Sequence, residues 1–124
     1  MDRVLLIGSF GLVGTLARYW MQGAVQRITG STFPYGTLTV NVIGSFLVGF
    51  VATLTLERAT VNPVWRSAML IGFCGGFTTF SALAYESFEL ARTGDPIRAV
   101  LNLAAHAALG LAAVWAGYAA ALKL

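Results

Sequence analysis

Gly72-Phe73-Cys74-Gly75-Gly76-Phe77-Thr78-Thr79-Phe80-Ser81 stands at the centre of a long apolar run, and its reading decides the fold. The run is long enough to cross a bilayer. Paired glycines followed by paired threonines are nevertheless poor material for a continuous helix. In lipid, a broken helix leaves carbonyls without partners, which is tolerated only where the backbone is buried in protein or meets an ion or water. The glycines also admit a simpler reading, in which they let a neighbouring helix come close. The doubled signal at mid-membrane depth favours a break in the third of four membrane helices.

Around this stretch the chain divides into four apolar segments. The expected helices run roughly from Val4 to Met21, Tyr35 to Leu56, Val64 to Ala91 and Ile97 to Leu122. Each is about 18–25 residues long, the length that crosses ~30 Å of hydrocarbon. Between them lie a polar loop (Gln26, Arg27, Thr29, Gly30, Ser31, Thr32, Pro34), a second loop after Glu57-Arg58 from Thr60 to Pro63, and the turn Thr93-Gly94-Asp95-Pro96. Pro96 suits the first turn of the helix that follows. Arg3 and the apolar run behind it faintly resemble a signal peptide. No small-residue cleavage site follows, and Arg18-Tyr19-Trp20 reads as an interfacial end, so the segment is expected to be a mature helix.

Composition agrees. Of 124 residues, 57% are hydrophobic and 10% charged, against about 25% charged in a soluble domain. So short a chain cannot hide that much apolar surface in a water-soluble core. Lipid as the outer solvent resolves the excess, and the 14 glycines fit close helix contacts in a membrane. The reading is one all-α membrane domain over residues 1–124. The net charge of +3 is dispersed, with no two basic residues adjacent, which speaks against a nucleic-acid partner. Cys74 has no second cysteine to pair with. No nucleophile–base pair or diagnostic metal-ligand spacing suggests an enzyme.

Charge also bears on orientation. Four crossings place both termini on one side, with Arg3, Arg58, Arg66 and Lys123; the other side holds Arg27, Arg92 and Arg98. Four against three, or four against four with Arg18, is almost no bias. Orientation normally follows a Lys/Arg excess, so this chain is expected to insert either way up. A chain that does so can form an antiparallel homodimer with its dyad in the membrane plane. A small bias or a partner protein that fixes one orientation is the other reading.

Several side chains are expensive at membrane depth. Asn41 lies on one face with Thr37 and Gly44-Ser45, a stripe of donors without formal charge. It serves either as a helix–helix hydrogen bond, worth about 0.6–2 kcal/mol, or as part of a site. The last helix has a matching stripe of Asn102, His106, Gly110, Ala113 and Gly117. A lone histidine there is more often a satisfied core residue than a proton carrier. Arg18 is either buried or snorkelling to the interface, and Glu86 and Glu89 approach the end of the third helix. Phe77 and Phe80 flank the threonines; they pack in the core or offer an anion their electropositive ring edges.

These residues resemble a known pattern. Gly75-Gly76-Phe77-Thr78-Thr79-Phe80-Ser81, with Glu86 five residues on, is similar to the third-helix signature of the Fluc fluoride channels, also called CrcB proteins. Gly11-Leu12-Val13-Gly14 with Arg18-Tyr19, and Thr39-Val40-Asn41-Val42-Ile43-Gly44-Ser45, match as well, so the resemblance covers essentially the whole chain. It implies a dual-topology, antiparallel homodimer in the bacterial inner membrane that exports fluoride passively through two pores, each built from both subunits. It implies that Asn41 and Phe80 line the pore with the hydroxyls of Thr37, Thr39, Thr79 and Ser81. His106 falls where family members place a polar or aromatic pore residue. The resemblance further implies a structural sodium ion on the carbonyls of Gly75 and Thr78, and a supporting or vestibule role for Arg18 and Glu86.

One departure is informative. The family's second hydroxyl–phenylalanine repeat is here Ala82-Leu83-Ala84, and leucine has no electropositive edge. Fluoride transport is expected to survive, since Phe80 and Asn41 remain. Two other readings compete. A small four-helix multidrug exchanger needs an acid within the first helix, and none follows Asp2 there. A non-transporting membrane subunit would use the polar stripes only as glue.

Overall fold

The computed structural model describes residues 2–58 and 61–124, and all regular structure among them is helical. Four spans are long and apolar enough to cross a membrane: Asp2–Thr29, Tyr35–Glu57, Pro63–Arg92 and Pro96–Leu122. The first, second and fourth are the single helices α1 (Asp2–Thr29), α2 (Tyr35–Glu57) and α6 (Pro96–Leu122). The third comprises α3 (Pro63–Ser67), a π-helical stretch Ala68–Cys74, α4 (Gly75–Phe77) and α5 (Phe80–Arg92).

The break expected in the third span is present, but it does not fall on the glycines. Gly75 has helical dihedrals, whereas Thr78 and Thr79 are extended, with φ/ψ of −99°/158° and −150°/111°. The Thr79 hydroxyl then caps α5 by accepting the Ala82 amide at 3.2 Å, as β-branched hydroxyl residues do at helix starts. Gly76 is needed for space. A Cβ there would press on the Gly11 carbonyl and the Thr15 hydroxyl of α1.

α1 runs on to Thr29, past the expected end at Met21. Gln26, Arg27 and Thr29 are therefore helical, and Arg18-Tyr19-Trp20 lies well inside the helix rather than at its interfacial end. The stop signal is Gly30, whose φ of 58° is left-handed. Gln26 braces the turn, donating to the Ser31 and Phe33 carbonyls and accepting from the Gly36 amide. Thr60, expected in the second loop, lies outside the described residues. Asn62 caps α3 by accepting the Val64 amide at 2.8 Å, and Asp95 caps α6 with Pro96 in its first turn.

Apolar side chains cover the outside: Leu12, Ile71, Leu111 and Trp115 are 61–74% exposed, which is stable only against hydrocarbon. With no water to expel between helices, association relies on close backbone contact. On α1, Gly14 lies against the Phe73 backbone, and between α2 and α6, Gly49 meets Val114 while Gly117 meets Phe46 and Phe50.

Candidate functional site

The site forms where α2 and α6 pass the break. Asn41, in the second turn of α2, reaches Thr79. Its Oδ1 accepts the Thr79 amide at 2.8 Å and its Nδ2 donates to the Thr79 carbonyl at 3.0 Å. Asn41 thus satisfies the Thr79 amide, which the break takes out of any helix, and gives the Thr79 carbonyl, at the start of α5, a second partner. The second proton of Nδ2 points at His106 Nε2, 3.1 Å away. His106 Nδ1 lies 3.0 Å from the Asn102 carbonyl, one turn back on α6.

These groups border a cavity of about 510 Å³ lined by Asn41, Ser45, Thr78, Thr79, Phe80, Leu83 and His106 together with apolar side chains. Its wall carries no formal charge at neutral His106. Most of its donors are committed: Ser45 donates to the Asn41 carbonyl at 2.7 Å and Thr78 to the Cys74 carbonyl at 2.9 Å. Thr79, half-buried, and Ser81, exposed, share a hydrogen bond of 3.3 Å. Phe80 is 79% exposed, so its ring is open to a neighbour. Phe77 is buried and stacked on Phe73, which assigns it to packing. Leu83 is buried at the cavity wall.

A second cavity, of about 660 Å³, lies between α1, α2 and α5 and includes Arg18, Gln22, Gln26, Thr37 and Glu86. A chain of bonds crosses it: Gln22 Nε2 donates to the Thr37 hydroxyl at 3.0 Å, which donates to Glu86 Oε1 at 2.7 Å. Arg18 Nε donates to the Gly76 carbonyl at 2.9 Å. The guanidinium is therefore anchored to the end of α4 instead of snorkelling to an interface.

The other carbonyls of the break fare differently. In an α-helix the carbonyls of Gly75 and Thr78 would accept the amides of Thr79 and Ala82. Those amides go instead to Asn41 Oδ1 and Thr79 Oγ1. The donor set left at Gly75 and Thr78 is neutral, hard oxygen, which suits a small hard cation.

Asn41, Thr79, Phe80, Ser81 and His106 thus meet at one cavity. Thr37 belongs to the second, with Arg18 and Glu86. Thr39 is half-buried and donates to the carbonyl of Tyr35 in its own helix at 2.8 Å, apart from both. Gln22 and Gln26 were not assigned to a site from sequence because Gln22 lies just past the expected first span and Gln26 was read as a loop residue. Their glutamine spacing of one turn was the available signal.

The model of the family described as CrcB-like protein, Camphor Resistance (CrcB), matches residues 5–118. The chain is 45% identical to the fluoride-specific ion channel FluC of Geobacter sulfurreducens across all 124 residues of this chain and the whole of that one. It is 43% identical to that of Geotalea daltonii over 98% of each chain, and 44% identical to that of Chlorobaculum tepidum over 94% of this chain and 92% of the other.

Proposed function

Since the chain belongs to the CrcB-like family, we propose that it is a passive fluoride channel that lets the ion leave the cytoplasm down its gradient. The observation that carries this reading is the uncharged cavity beside the break, built from amide, hydroxyl and aromatic edge. A fixed cation would hold a halide too firmly, whereas conduction needs sites that release. The reading involves no chemical step and so no enzyme activity.

The working unit in this proposal is an antiparallel dimer in the bacterial inner membrane, with two pores lined by Asn41, Phe80, Thr79 and Ser81 and neighbouring hydroxyls. The open ring of Phe80 and the near-equal Lys/Arg counts support it. Carbonyls left bare in lipid cost several kcal/mol each, and a second copy crossing at the break would cover them. A structural sodium ion on the Gly75 and Thr78 carbonyls of both copies would supply the positive charge that those oxygens lack. Arg18 and Glu86 belong to the entrance.

The test is efflux from proteoliposomes. Fluoride is expected to leave and chloride to stay, and failure of fluoride to leave would favour a non-transporting subunit. Phe80→Ile keeps bulk but removes the ring edge; its fluoride efflux is expected to fall about tenfold or more. Leu83→Phe restores a ring at the cavity wall and is expected to raise throughput about two- to fivefold. An unchanged rate in either variant removes that position from the conduction path.

A further inference from the structure

We propose that His106 is a positioning residue that sets how many hydrogen-bond donors the cavity offers an anion, by consuming the last free amide proton of Asn41. This rests on the fluoride reading above. Thr79 fixes the orientation of Asn41: the amide oxygen must face the Thr79 amide and the nitrogen the Thr79 carbonyl. An amide nitrogen only donates. The 3.1 Å contact between Asn41 Nδ2 and His106 Nε2 therefore makes Nε2 the acceptor. The ring is neutral, with its proton on Nδ1, where the Asn102 carbonyl accepts it at 3.0 Å. A single tautomer satisfies all four groups.

In that state Asn41 has spent both protons, and Ser45 and Thr78 have spent theirs. The cavity holds an anion weakly. Protonating Nε2 reverses the arrangement: a donor faces a donor, the Asn41 proton is released to the cavity, and a formal charge arrives beside it. An anion is then bound more tightly and leaves more slowly. The elements packed around His106 bring no competing titratable group. Among the described residues, the cavity wall from α2, the break, α5 and α6 is otherwise uncharged. Glu86, the nearest acid along α5, turns to Thr37 on α2 instead.

Fluoride current in planar bilayers tests this, because neutral HF carries no current. Between about pH 7.5 and about pH 5.5, wild-type current is expected to fall about threefold or more. His106→Gln offers Asn41 an acceptor that does not titrate. Its current, whatever its level, is expected to be the same at both values. His106→Leu, which leaves the Asn41 proton free, is expected to be low at both. A wild type insensitive to pH, or a His106→Gln that keeps the dependence, overturns the proposal while leaving the channel intact. Absence of current at every pH overturns the fluoride reading itself, and this inference with it. Nitrogen NMR of the imidazole gives an answer independent of transport: the Nδ1–H form is expected at neutral pH, and an Nε2–H form overturns the assignment.

Discussion

Replacing Asn41 with leucine is expected to abolish fluoride flux and to weaken the fold. The magnitudes decide the second part. Hydrogen bonds between membrane helices are worth only about 0.6–2 kcal/mol apiece, which alone would make Asn41 a modest contributor. Of the two bonds to Thr79, at 2.8 and 3.0 Å, the first satisfies a backbone amide that the break leaves with no helical acceptor in hydrocarbon. Each such group left bare costs several kcal/mol. Leucine fills the volume but orphans the Thr79 amide and strips the cavity of its amide side chain. The expected result is efflux at the level of empty liposomes and a clearly lower thermal midpoint in detergent. Full flux from the leucine variant would show that the break does not depend on this clamp.

The second large effect is expected at Gly117, with Gly8 as its control. Alanine is the better helix former by about 1 kcal/mol, so both substitutions gain on propensity. At Gly8 a Cβ meets nothing within 4 Å, and the gain should stand. At Gly117 the new methyl would overlap the Phe46 carbonyl oxygen and approach the Phe50 nitrogen to 2.8 Å. These are backbone atoms of α2 and cannot rotate aside. The helices must separate, losing dispersion along the whole contact. Overpacking of this kind costs typically about 1–3 kcal/mol, sometimes more. Gly117→Ala is expected to lower the thermal midpoint and the yield of folded protein, while Gly8→Ala leaves both unchanged or slightly raised. Equal behaviour of the two variants would contradict the close α2–α6 crossing.

Much of this architecture was legible from the residues. Four apolar segments of membrane-crossing length need no tertiary information, and Pro96 and Gly94 marked the last turn. The break was legible to within a few residues, in the paired glycines and paired threonines, but not which pair opens. Composition pointed to Gly75-Gly76 and Thr78-Thr79 alike, yet glycine in a packed bundle also serves close approach, and the Gly11 and Thr15 atoms that demand it lie on a distant helix. The threonines open the chain because Asn41, 38 residues away, rewards an extended Thr79. Long-range pairing of this kind has no local signature. Arg18, left between burial and snorkelling, was undecided for the same reason. Its position inside α1 became clear only with Gly30 ending the helix and with the Gly76 carbonyl as its partner, 58 residues on.

The π-helical stretch Ala68–Cys74 has one more consequence. A wider turn behaves like an inserted residue in an α-helix, and each residue advances the helix by about 100°. Everything downstream is therefore turned by roughly that angle from where a uniform spiral would aim it. Gly76 meets α1, and the opened threonines meet α2, because of that rotation. The stretch acts as a phase shifter: the span is dialled to its neighbours by local winding, and the azimuth of the downstream residues is not read off a regular heptad-like count.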